Sequence, residues 1–158
     1  MTKNAISPTD RRILIALQDD GRMTNQDLSE RVGLSPSPCL RRVRALEENG
    51  VIQRYVALVD PAKLGLSVTA FVRVRLERQD DRRLEMFERT VVSFPEVMDC
   101  YLMTGDCDYQ LRVLVPSLDA FEDFLRYKLT RINGVSQLTT SFALRPVVNR
   151  TLVSVPGE

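Results

Sequence analysis

The sequence contains no histidine. That removes the commonest general base and the commonest metal ligand, and it weighs against an enzyme. Cysteine is scarce: Cys39, Cys100 and Cys107 are an odd number without CxxC spacing, so reduced thiols are expected rather than a disulfide framework. No apolar run is long enough to cross a bilayer, so no membrane partner is expected. The opening MTKNAISPTDRR lacks the apolar stretch of a secretory signal, and the expected compartment is the cytoplasm. A strong charge of one sign is missing too: 22 basic against 21 acidic residues leave a net +1, so bulk electrostatics does not announce a nucleic-acid binder. What is present is an ordinary globular composition, 44% apolar and 27% charged over 158 residues, enough for one domain or two small ones.

The charge is unevenly distributed. Residues 31 to 44 hold Arg31, Arg41, Arg42 and Arg44 and no acid, whereas beyond residue 64 the signs nearly balance. Around this basic stretch, residues 9 to 49 read as three helices. Thr9 or Asp10 caps the first, which carries Ile13, Leu14 and Leu17 and ends at Asp19-Asp20-Gly21. Thr24 caps the second, with Asp27 as a capping-box partner, Leu28 and Val32 as its apolar side and Gly33 as its stop. Ser35 caps the third. Pro36 and Pro38 then fall in the first turn, where a missing N–H breaks no internal bond.

On this third helix, a turn of about 100° per residue puts Leu40, Val43, Leu46 and Glu47 on one side, bordered by Cys39. Ser37, Arg41, Arg44, Ala45 and Glu48 point the other way, with Arg42 on the flank. The arginines sit near the helix start, where backbone N–H groups also point outward. Two helices joined by a tight Gly-Leu-Ser turn, the second with a basic outer face, form a helix-turn-helix pattern. A solvated three-helix bundle shares the arginine face but leaves the turn and start signals without a purpose. The DNA-facing set is then Ser35, Ser37, Pro38, Arg41, Arg42 and Arg44. The run VIQRYVALVD reads as a strand, either a wing with Arg54 near phosphates or a hinge strand. Asp60-Pro61 and Gly65 mark a boundary. The domains expected are 1–50 (helix-turn-helix), 51–66 (wing or hinge strand and linker) and 67–158.

From residue 67 the period is two. Val68, Ala70, Val72, Val74 and Leu76 face one way; Thr69, Phe71, Arg73 and Arg75 face the other. A helix follows over roughly 82–93 with Leu84, Phe87 and Val91 on one side. VMDCYLM and YQLRVLV are strands joined across Thr104-Gly105-Asp106-Cys107-Asp108. Ser117 caps a helix carrying Leu118, Phe121, Phe124, Leu125 and Leu129; Asn133-Gly134 ends it, and VSQLTTSFAL is a fourth strand. This order gives an α+β fold: a βαββαβ ferredoxin-like unit, with a four-stranded antiparallel sheet and both helices on one face. Its open face is expected either to find a second copy or to remain solvated.

The stretches LQDDGRMTNQDLSERVGLSPSPCLRRVRALEENGVI, TGDCDYQLRVLVPSLDAF and GVSQLTTSFAL, in that order, resemble the Lrp/AsnC family of feast/famine transcription regulators over about residues 8 to 153. The resemblance implies a winged helix-turn-helix domain that binds double-stranded DNA. It also implies a ferredoxin-like effector domain that dimerises through its sheets and assembles into octamers or related rings. No cofactor is implied; the ligand is a small effector, an amino acid, bound between effector domains. The matching positions are the hairpin Thr104, Gly105, Asp106, Asp108 and Tyr109, with Thr140 and Ser141 opposite. An aspartate pairs with the ammonium, the glycine admits a carboxylate to backbone N–H groups, and Leu102, Leu118 and Thr130 line the side-chain pocket. Gly-Asp-x-Asp is also good hairpin chemistry on its own. Two departures from the family pattern stand out: Cys107, which with Cys100 permits a thiol-sensing role, and Arg145-Pro146 after the last strand, where proline interrupts pairing. Two alternatives remain beside an amino-acid-responsive regulator. One is an architectural DNA-wrapping protein with little ligand control. The other is a small enzyme on a ferredoxin-like scaffold using Asp106, Asp108, Arg73 and Cys107, for which no catalytic set assembles.

Overall fold

The computed structural model describes residues 6–155. Two compact units divide the chain: one comprises residues up to Leu58 together with those from Val148 on, the other Val59–Val147. The division near 58 falls within the 51–66 segment expected as wing or hinge and linker, and the residues from Val148 on group with the helical unit. Gln18 accounts for part of this: its side chain donates to the Val153 carbonyl at 3.1 Å and accepts the Val153 N–H at 2.8 Å. Val155 packs against the helical core.

The first unit contains α1 (Pro8–Asp19), α2 (Asn25–Val32) and α3 (Pro36–Glu48). Ser7, not Thr9 or Asp10, caps α1 by accepting the Asp10 N–H at 3.1 Å. The residue after it is Pro8, which belongs at the first helical position. Thr24 caps α2 as expected, accepting the Asp27 N–H at 3.2 Å, and Gly33 ends it in the left-handed region at φ 70°. Ser35 occupies the cap position of α3, but its hydroxyl makes no capping bond. The other two caps both accept from the third residue beyond; here that residue is Pro38, which has no N–H. Ile13, Leu14, Ala16, Leu28, Val32, Cys39 and Leu46 form the core.

The helix α3 is rolled relative to the sequence expectation. Cys39 is fully buried, Leu40 is 39% exposed and Glu47 is exposed, so the inward stripe runs Cys39, Arg42, Val43, Leu46. A slim thiol fits the helix crossing, and Arg42 comes inward because Asp10 neutralises it at 2.9 Å. Residues 51–60 contain no strand, which corrects the wing or hinge-strand expectation. Among the described residues no strand pairs with this run; instead the Tyr55 hydroxyl donates to Glu47 at 3.0 Å and its ring lies against Gly21.

The second unit has β1 (Val68–Leu76), α4 (Asp81–Val91), β2 (Val97–Leu102), β3 (Tyr109–Val115), α5 (Leu118–Tyr127) and β4 (Val135–Phe142). The sheet order is β2-β3-β1-β4, all pairs antiparallel. This is the expected βαββαβ unit. Ala70, Val72, Val74 and Leu76 bury against Phe87 and Val91 of α4 and Phe121 and Phe124 of α5. Phe71, Arg73 and Arg75 face away from the helices. Asp80 and Ser117 cap the two helices, each accepting an N–H three residues on.

Candidate functional site

In the helical unit the outward face of α3 carries Ser37, Leu40, Arg41, Arg44, Ala45 and Glu48, all exposed. Ser35 is exposed at its start, and Pro38 is half-buried. The prolines at 36 and 38 remove two first-turn N–H groups, so of the first three helical positions only Ser37 keeps a backbone donor. The expected cluster of helix-end donors beside the arginines is therefore thin. Asn25, opening α2, donates its side-chain amide to the Pro36 carbonyl at 3.0 Å and so fixes the turn between α2 and α3. Arg54 is exposed on the segment after α3. Arg42 stands apart from Arg41 and Arg44: it points toward the start of α1. Burial, followed by the hydrogen bond and charge of Glu47, pushes the Tyr55 phenol up to about 12, so that contact is intact at neutral pH.

In the sheet unit, Arg73 and Arg75 on β1, Gln137 and Thr139 on β4, and Asp106 and Cys107 of the hairpin line a pocket of about 240 Å³. The register makes it: Arg73 lies opposite Thr139 and Arg75 opposite Gln137. Arg73 Nη1 meets Asp106 Oδ2 at 3.0 Å, and Arg75 Nη2 donates to the Asp106 carbonyl at 2.6 Å. One guanidinium thus pairs with the Asp106 carboxylate, while the other is held by its backbone carbonyl and has no carboxylate of its own in the pocket. The pocket keeps an uncompensated positive charge beside a hydroxyl and an amide, a set suited to an anion with a cationic neighbour.

The structure separates the residues expected to hold the effector. Asp106 lines the pocket, with Thr104 and Gly105 in the exposed hairpin and Leu102 exposed at the end of β2. Asp108 is buried at 3% exposure, accepting the Leu76 N–H at 2.6 Å and the Gln79 amide. Its carboxylate is used up pinning the hairpin to the end of β1. Tyr109 is buried in the core, stacked on Phe87 at 4.5 Å, and its hydroxyl donates to Glu88 at 2.8 Å. Burial, then the hydrogen bond and charge of Glu88, push that phenol well above its ordinary range. Thr140 pairs with Val72 and shares its helix-side face, whereas Ser141 pairs with Phe71 on the open face one row from the pocket. Leu118 starts α5 just after Val115, at the far end of β3 from the hairpin, roughly 20 Å away. Thr130 lies in the helical layer, donating to the Leu125 and Arg126 carbonyls at 2.9 and 3.1 Å. Arg73, Arg75, Gln137 and Thr139 were absent from the expected site. Alternation on β1 places the arginines on the open face, but only the β1–β4 register adds the other two.

Cys39, Cys100 and Cys107 are free. Burial and the charge of Glu88 push the Cys100 thiol up to about 11, the opposite of a reactive thiol. Among the described residues no cluster of metal-ligating side chains occurs, and no helix is long and apolar enough to cross a membrane.

Residues 6–53 match the winged helix-turn-helix DNA-binding family and residues 69–153 the Lrp/AsnC ligand binding domain. The chain belongs to the Lrp/AsnC family. It is 48% identical over 142 residues to the Bkd operon transcriptional regulator of Pseudomonas aeruginosa, covering 90% of this chain and 93% of that one. It is 41% identical over 146 residues to the leucine-responsive regulatory protein of Rhizobium meliloti, covering 92% and 94%. A Neisseria meningitidis transcriptional regulator solved in complex with L-methionine superposes with a TM-score of 0.89 at 40% identity, covering 94% of this chain and 96% of that one. As an Lrp/AsnC protein the chain is a DNA-binding transcriptional regulator with a ligand-binding domain, and the helical and sheet units correspond to those two parts.

Proposed function

We propose that the sheet unit senses a free amino acid and that its occupancy sets how the helical unit grips DNA. The single observation that carries this is the Arg73–Arg75–Asp106 pocket. An α-amino acid presents a carboxylate to the guanidinium groups and an ammonium to Asp106, with Thr139 and Gln137 completing the fork. The volume lies below the ~300–1,000 Å³ typical for drug-sized ligands, which suits a small metabolite. The methionine complex of the Neisseria relative supports the same chemistry. On the DNA side, Ser37, Arg41 and Arg44 face the major groove, with Ser35, Pro38 and Arg54 at its edge; an arginine reading guanine contributes about 1–3 kcal/mol of discrimination.

The open sheet face, carrying Phe71 and Tyr101, is the surface for a second copy, and further assembly toward an octamer multiplies the DNA-binding heads. A nearly neutral chain needs that avidity, because one small basic face binds duplex weakly. The test is a thermal-shift screen of the twenty amino acids on purified protein, repeated on Asp106→Ala and followed by sizing with the best hit. At least one amino acid raises the midpoint of the native chain and loses that effect in the variant. A stabilisation that persists in Asp106→Ala removes the pocket from the site.

A further inference from the structure

We propose that Arg42 is a positioning residue for DNA recognition: its ion pair with Asp10 sets the roll of α3 and so aims Arg41 and Arg44, and Arg42 does not itself hold DNA. This rests on the DNA-binding reading of the helical unit. Arg42 Nη1 lies 2.9 Å from Asp10 Oδ1 and 3.5 Å from the Ser7 hydroxyl. That hydroxyl donates to the other Asp10 oxygen at 2.6 Å while accepting the Asp10 N–H at 3.1 Å. The cap of α1 and the flank of α3 are therefore one network. Asp10 sits in the first turn of α1, where the helix dipole favours its negative charge, and its side chain is only 21% exposed.

The rest of α3 explains why such a device is needed. Its buried anchors are Cys39 and Leu46, one slim and one branched, with Val43 packed beside them, and Arg42, its side chain 41% exposed, lies on the opposite flank of that stripe. At about 100° per residue these apolar contacts span an arc of only about 60°, which holds the helix axis in place but resists rotation about it poorly. Asp10 supplies a lateral tie. With side chains a helix has a radius of about 5–6 Å, so a roll of about 20° carries an outward group roughly 2 Å sideways. Productive recognition geometry tolerates only about 0.5 Å. The sequence conceals this role, because Arg42 belongs to the same basic run as Arg41 and Arg44.

The experiment measures duplex binding by the full chain across a salt series for Arg42→Ala, Asp10→Ala, Asp10→Asn, the double variant Arg42→Ala/Asp10→Ala, and Arg41→Ala. Positioning predicts that Arg42→Ala and Asp10→Ala each weaken binding by about 3- to 30-fold and that the double variant is no worse than either single one. It also predicts that the slope of log affinity against log salt keeps its native value. Asp10→Asn, which keeps the shape of the side chain, preserves the fold by circular dichroism and still weakens binding. Direct phosphate contact by Arg42 predicts the reverse sign for Asp10: removing it frees the guanidinium and strengthens binding, and Arg42→Ala alone lowers the salt slope by about one. Either of those results overturns the proposal. Arg41→Ala separates the two layers, since duplex binding unchanged in that variant would reject the assigned DNA face itself rather than the role of Arg42.

Discussion

The two units are built by different means. The helical unit has a core of seven buried residues, the sheet unit one of fourteen, counted among the described residues. A small core leaves a domain marginal unless other devices support it. The helical unit accordingly depends on two side-chain caps, the Arg42–Asp10 tie, an Arg31–Asp19 pair at 2.7 Å and a returning C-terminal segment. The sheet unit holds its hairpin with one buried carboxylate and assembles its pocket from cross-strand register. The unit that meets DNA is tuned by polar ties at its surface, and the unit that meets the ligand rests on packing.

Equal deletions in the two cores should therefore have unequal consequences. Ile13→Ala and Leu111→Ala each remove a fully buried side chain at a cost of about 2–5 kcal/mol. Calorimetry should show the helical unit of Ile13→Ala unfolded at 37 °C with duplex binding lost, while Leu111→Ala keeps a folded sheet unit with a lowered midpoint. Next in size is the contrast within the hairpin. Asp108→Ala strands the Leu76 N–H and should destabilise the sheet unit by about 1–3 kcal/mol in urea unfolding. Asp106→Ala, whose side chain is 76% exposed, should change stability by less than about 0.5 kcal/mol yet abolish the ligand response. Gln18→Ala releases Val153 and should cost the helical unit about 1 kcal/mol, leaving hydrogen exchange in the sheet untouched. Smallest is the cap comparison: Thr24→Ala should cost about 1 kcal/mol, whereas Ser35→Ala should fall within about 0.5 kcal/mol because Pro38 offers its hydroxyl nothing to bind.

Legibility in the sequence followed the range of the interactions. Alternation along Val68–Leu76 and the caps Thr24 and Ser117 are local signals, and the strand order and helix positions followed from them. The roll of α3 was misjudged because a wheel ranks Leu40 above Cys39 and Arg42 and carries no information about Asp10, 32 residues away. The segment after α3 has strand composition, but pairing needs a neighbour and the described residues offer none there. Asp106, which lines the pocket, is legible as a candidate because it sits in a local motif. Asp108, two residues on, has the same chemistry in the sequence but spends it on Leu76 and Gln79. Gln137 and Thr139 enter only through the pairing of the first and last strands, and the return of Val153 to Gln18 spans 135 residues.

The central claim is that occupancy of the Arg73–Arg75–Asp106 pocket controls the grip of α3 on DNA. It is tested most directly by titrating duplex DNA with the full chain, at fixed salt, in the presence and absence of the amino acid that stabilises it most. The account predicts a shift in apparent affinity of about 5- to 150-fold that disappears in Asp106→Ala. Identical titrations with and without every one of the twenty amino acids would contradict it.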